Sequence, residues 1–201
     1  MKRLTSISAT ALAAALVLSG CSTDAGTTEP ESTMSGMDHG SMPPSASDAA
    51  ADHNSADAMF AQMMTPHHEQ AVQMSDIMLA KKNLDPRVTE LAQDIKAAQG
   101  PEIKKMNDWL QTWGEPMKMS GSHEMDGMMT PEDLSNLEAT QGTEASRLFL
   151  TQIIAHHEGA ITMAEDEVAN GSNPAAVELA KDVVSSQGTE IQAMKTLLAD
   201  L

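Results

Sequence analysis

Two stretches, Thr65–Met74 (T-P-H-H-E-Q-A-V-Q-M) and Ile154–Met163 (I-A-H-H-E-G-A-I-T-M), are versions of one ten-residue pattern. Each carries His-His-Glu, then an alanine four residues after the first His and a Met seven after it. On an α-helix, positions i, i+4 and i+7 share a face. His67, Ala71 and Met74 therefore form one stripe, and His156, Ala160 and Met163 its duplicate. His68 and His157 fall on a neighbouring flank. Imidazole and thioether on one face are the donor set of a soft or borderline metal ion.

The duplication extends outward from these stretches. Residues 59–82 match 148–171, and residues 86–110 match 174–198 after a one-residue deletion. Glu90–Met106 (E-L-A-Q-D-I-K-A-A-Q-G-P-E-I-K-K-M) pairs with Glu178–Met194 (E-L-A-K-D-V-V-S-S-Q-G-T-E-I-Q-A-M). A two-helix unit cannot bury its own apolar stripe, so the two copies must pack on each other. The expected fold is all-α, an antiparallel four-helix bundle built from two repeated helical hairpins. Repeat one covers residues 56–113 and repeat two 132–201, with a loop at 114–131 between them.

Helical periodicity places Phe60, Met63, His67, Ala71, Met74 and Met78 on the first seam. Pro66 lies inside it, so the helix either begins near Thr65 or bends there. Asp85 caps a second helix that starts at Pro86 and ends near Trp113. Its apolar face holds Leu91, Ile95, Met106 and Trp109, together with Gln99 and Glu102. Gly100-Pro101 is expected to interrupt and kink it. Thr130 caps a short helix from Pro131. A long helix from about Thr143 to Asn170 presents Phe149, Ile153, His156, Ala160 and Met163. The last, from Pro174 to about Ala199, presents Val183, Gln187, Glu190, Ile191 and Met194.

The beginning of the chain is of another kind. Lys2 and Arg3 precede an apolar run, and Leu18-Ser19-Gly20-Cys21 ends it. This is the pattern of a lipoprotein signal peptide, residues 1–20, with Cys21 lipidated and holding the protein on the outer side of a membrane. The run is too short and wrongly flanked for a durable membrane span. Residues 21–55 lack apolar periodicity and read as a disordered tether. Its 34 or so residues would span roughly 30–35 Å. Cys21 is the one cysteine, so no disulfide framework forms.

Removing residues 1–20 takes away Lys2 and Arg3 and moves the net charge from −17 to −19. Such a surface excludes nucleic acid as a partner and attracts cations. The chain has no Tyr, two Phe and two Trp, but 17 Met. Some of these fall where no core is expected: Met34, Met37 and Met42 in the tether, and Met117, Met119, Met125, Met128 and Met129 in the loop. They are candidate low-affinity capture sites.

Glu102 and Glu190 fall on apolar faces, each followed four residues later by a Met, Met106 and Met194. A buried carboxylate must be paired, neutralised or near a metal. These two are read as metal ligands or as acceptors behind ligating imidazoles. A Glu–His hydrogen bond with no metal is the alternative. Glu69 and Glu158 point off the seam and read as solvated. The Glu-x-x-His motif of di-iron bundles is absent, since Val72 and Ile161 occupy that position. Thioethers favour Cu(I), and outside the cytoplasm Met and His hold copper where thiols would oxidise. Copper is therefore the expected ion, as Cu(I) first, with Cu(II) or Ag(I) as alternatives.

The repeated H-H-E-x-A-x-x-M, followed by Q-G-x-E-I-x-x-M, resembles the family known as domain of unknown function 305, over residues 56–200. The resemblance implies a ferritin-like fold and, as in some members, an exported copper-binding protein of copper resistance. Carried over, the motif positions are His67, His68, Met74 and Met106, then His156, His157, Met163 and Met194. Gln70 stands where the second unit has Gly159, so the two halves are unequal. The expected function is copper sequestration or handover without turnover, to a copper-handling partner protein or within a homo-oligomer. A ferritin-like metal oxidase and a metal-free structural bundle are the rivals.

Overall fold

The computed structural model describes residues 52–119 and 125–201. The expected signal peptide, Cys21 and nearly all of the expected tether, with its Met34–Met42 run, lie outside these residues. Among the described residues five helices follow in order: α1 (Ser55–Leu79), α2 (Pro86–Trp113), α3 (Pro131–Ala139), α4 (Gly142–Asn170) and α5 (Pro174–Asp200). Among the described residues no helix is long and apolar enough to cross a membrane.

The caps follow the residues at each boundary. Asn54 accepts from Ala56 and Asp57 N–H, and Asp57 accepts from the Asn54 N–H, a reciprocal pair that starts α1. Asp85, Thr130 and Asn173 cap α2, α3 and α5, each followed by proline at the first helical position. Gly114 ends α2 in the left-handed region at φ 72°. Pro66 and Pro101 both lie inside continuous helices. The expected interruption at Gly100-Pro101 does not occur. Pro101 and Ala97 are exposed, so the carbonyl that the proline leaves free is on the side of α2 open to solvent.

Helices α1 and α2 form one hairpin and α4 and α5 the other, with α1 laid against α4. The core is two apolar clusters. One gathers Met74, Met78, Ile95, Phe149, Ile153, Ile191 and Met194. The other gathers Phe60, Met64, Met106, Leu110, Ala160 and Val183. On every long helix a polar layer separates them: His67 on α1, Gln99 and Glu102 on α2, His156 on α4, Gln187 and Glu190 on α5. The order of the clusters makes α1 antiparallel to both α2 and α4, and α4 antiparallel to α5. The bundle expected from the repeat is therefore present, with its polar residues gathered at mid-height.

Candidate metal centre

The α1–α4 pairing brings the two copies of the decisive stretch together. The His67 and His156 rings lie 3.7 Å apart between centroids, tilted by 41°. His67, His68 and His157 are fully buried, and His156 is 1% exposed. The flank on which His68 and His157 fall is thus covered by the partner helix of each hairpin. His68 Nε2 donates to Glu102 Oε2 at 2.8 Å, and His157 Nε2 donates to Glu190 Oε2 at 2.7 Å. The two carboxylates remain partly open to solvent, at 23% and 31%. Of the two roles open to Glu102 and Glu190, the geometry is that of an acceptor behind an imidazole.

Hydrogen bonding sets which nitrogen is free. A carboxylate only accepts, so Nε2 of His68 and His157 carries the proton and Nδ1 keeps its lone pair. His67 Nε2 faces the Asp126 carbonyl at 3.3 Å, which fixes the same tautomer. The Nδ1 atoms of His67, His68 and His157, and both ring nitrogens of His156, are buried without a partner. Unpaired buried polar atoms are rare and each calls for an explanation. Each of the four rings thus keeps one lone pair that fits a metal ion, and the second His156 nitrogen is an N–H without an acceptor.

Charge points the same way. Burial, then the neighbouring His68, pushes His67 down to about 3, against a partial upward pull from the Asp126 carbonyl. Burial, then His67, His157 and His68, pushes His156 down to about 2. Both rings are neutral at pH 7, the form that ligates. Among the described residues no three His, Cys, Asp or Glu side chains converge as a cluster that could hold a metal. Any ion here must accept few ligands, or take thioethers as well.

The thioethers lie above and below the imidazoles. Met74 and Met194 belong to one apolar cluster and Met106 to the other, all fully or nearly fully buried. Each cluster thus joins the Met of one repeat to the other repeat. Met163 departs from its expected place in the core. It is half-buried against the second cluster and borders a surface groove. Met64, not Met63, takes the buried seam position on α1. The apolar stripe of a core helix is about 100° wide, so neighbouring residues compete for it.

Asp126, Gly127 and Met129 of the inter-repeat linker lie against the His-bearing helices, and periodicity gave no sign of this. Gln70 Nε2 donates to the Met129 carbonyl at 2.9 Å, and the Met129 N–H donates to Gln70 Oε1 at 2.7 Å. Gly159 on α4 and Gly127 in the linker let the two backbones approach closely. A Cβ on Gly159 would overlap the Asp126 carbonyl, and one on Gly127, whose φ is +81°, would meet the His156 backbone. The Gln70/Gly159 inequality between the repeats is therefore the seat of the linker. Met129 packs against the first apolar cluster, so it is part of the fold rather than a free capture residue. Met117 is exposed, as expected of a loop. Glu69 and Glu158 are exposed, Glu158 pairing with Lys195 at 3.0 Å.

Gly159→Ala should force the linker off the His pair. Overpacking of this kind costs about 1–3 kcal/mol. The expected fall in Tm is about 5 °C in a thermal melt. Gly100→Ala, which meets open space, is the control and should hold or raise Tm.

No curated protein matches the chain. Several solved structures do. A DUF305 protein of Streptomyces coelicolor, assigned as secreted, is 36% identical, with a TM-score of 0.70 over 75% of this chain and 94% of that one. A DUF305 fragment of Deinococcus radiodurans is 30% identical, with a TM-score of 0.68 over 74% and 98%. CopM in its Cu(I)-bound form is 34% identical, with a TM-score of 0.61 over 72% and 96%. CopM also has Cu(II)-bound and Ag-bound forms. The model of the domain of unknown function DUF305 matches residues 57–198. With its duplicated hairpins, its paired imidazoles and these relatives, the chain belongs to the DUF305 family.

Proposed function

We propose that this protein binds copper outside the cytoplasm, as Cu(I), and sequesters the ion or hands it on without turnover. The observation that carries the reading is the His67–His156 contact at 3.7 Å, with lone pairs buried and unpartnered on both rings. Two neutral imidazoles suit an ion content with few ligands. The thioethers of Met74, Met106 and Met194 in the adjacent layers add soft donors within the same core. His68 and His157, oriented by Glu102 and Glu190, flank this pair in the same layer. The copper- and silver-bound forms of CopM support the choice of ion. A zinc centre or a carboxylate-rich oxidase centre needs three or more converging His, Cys, Asp or Glu side chains. The export reading rests on Met1–Cys21, with Cys21 as the proposed lipid anchor.

The test is a thermal melt of the metal-free protein under anaerobic conditions, with and without Cu(I). A ligand that binds only the folded state at 100 times its Kd adds about 2.7 kcal/mol. For a domain of this size that is a rise of about 5–10 °C. An unchanged Tm at saturating Cu(I) overturns the copper reading. In a separate aerobic assay, repeated oxygen turnover by the copper-loaded protein beyond that of free Cu(I) would favour the oxidase instead.

A further inference from the structure

We propose a second soft-metal site, separate from the His pair, in the groove between the start of α1 and the end of α4, where the thioethers of Met59, Met63 and Met163 take a monovalent ion such as Cu(I) or Ag(I). These three Met border a single cavity of about 370 Å³, with Asp166 and Glu167 at its edge. Met59 is 47% exposed, and Met63 and Met163 are half-buried. A thioether held at a surface groove contributes little to the core, yet it is a good donor to a soft cation.

The internal repeat shows why this groove is open. The counterparts of Met59 and Met63 in the second unit are Leu148 and Gln152. Over that end α3 is laid down: Gln152 donates to the Asp133 carbonyl at 3.2 Å, and Leu148 joins the cluster that contains Leu134 and Leu137 of α3. The counterparts of Met163 and Glu167 are Met74 and Met78, both fully buried. At the groove end no described helix corresponds to α3. The chain therefore places two extra thioethers where the covering helix is missing, and an acid where its repeat has a core Met. Glu167 is 1% exposed, and neither of its carboxylate oxygens has a donor facing it. The negative charge beside the three sulfurs comes from Asp166, exposed at the same edge.

This site is independent of the His pair, and the experiment keeps them apart. The protein, labelled with ¹³C at its Met methyl groups, is titrated with Ag(I), and the bound ions are counted by native mass spectrometry. The Met59, Met63 and Met163 methyl signals should move together. Met59→Leu with Met63→Leu, a volume-conserving pair, should bind one ion fewer while its circular dichroism stays helical. His67→Ala with His156→Ala should leave the groove signals moving as before. If the Met59 and Met63 methyls stay still while other Met signals shift, the proposal fails. It fails equally if the double Leu variant binds the full number of ions.

Discussion

Replacing both His67 and His156 by alanine is expected to weaken Cu(I) binding by at least about 100-fold, read by competition with a chelator of known affinity. Loss of an outer partner that only orients a ligating imidazole costs about 10–100-fold. Removing two imidazoles that would touch the ion must cost more than that. Glu102→Gln with Glu190→Gln should fall in the outer-partner range, because those carboxylates act through His68 and His157. Glu158→Ala, on an exposed ion pair, should change nothing measurable. The fold should survive the double His variant. It removes three unpartnered buried nitrogens, which is favourable, and leaves a cavity, which is not. Helical circular dichroism with unchanged copper affinity would place the ion elsewhere in the chain.

The graded expectation across these variants depends on the layered core. A His on a buried seam of an ordinary bundle finds a carbonyl or a carboxylate for each nitrogen. Here four imidazoles and two glutamines, Gln99 and Gln187, lie in one layer at mid-height, and every one of the six keeps at least one buried atom without a partner. Apolar clusters on either side exclude water from them. Lone pairs in such a place are stabilised by an ion that needs no hydration of its own once bound. The same layer without an ion carries several unmet hydrogen bonds, so the metal-free bundle should be the less stable state.

Much of this was legible in the sequence, because it depends on local period. The two hairpins, their caps and the inward facing of His67 and His156 all follow from 3.6-residue spacing and its duplication. The Glu–His pairing followed from the expense of burying a carboxylate. What escaped was set by contacts between residues far apart in the chain. Nothing near Asp126 announces that its carbonyl meets His67, 59 residues away. Gln70 and Gly159 stood out only as a mismatch between repeats, and their meaning appears when the linker docks on both. Pro101 failed as a breaker because its freed carbonyl lies on the wet side of α2, which a single-residue rule does not weigh. The seam position expected of Met63 goes to Met64, because adjacent residues compete for one apolar stripe.

At the groove end, a rise of pH should loosen the metal-free bundle through one residue. Glu167 is buried between α1 and the start of α5, and burial, then Asp57, raises its carboxyl to about 8 from an ordinary 4.5. Burial alone would raise Asp57 too, but hydrogen bonds from Glu167, Asn54, Asn173 and Ser172 outweigh it and hold Asp57 low. Asp57 thereby ties the Ser172 and Asn173 N–H groups to the first turn of α1. A proton on Glu167 supplies the donor that faces Asp57. Between pH 4.5 and 8 the folded state binds a proton that the unfolded state lacks, so stability falls as pH rises. His67 and His156, held down at about 3 and about 2, give the opposite slope, but only below their ordinary 6.5. Above that pH their slope is gone and that of Glu167 remains. At about 1.4 kcal/mol per unit, the loss between pH 6.5 and 8 is about 2 kcal/mol, levelling off beyond. Glu167→Gln keeps a donor toward Asp57 and carries no titrating proton. Urea unfolding from pH 6.5 to 9 should therefore slope downward in the native protein and stay flat in the variant. Equal slopes in the two would show that the Glu167 proton does not hold this end of the bundle together.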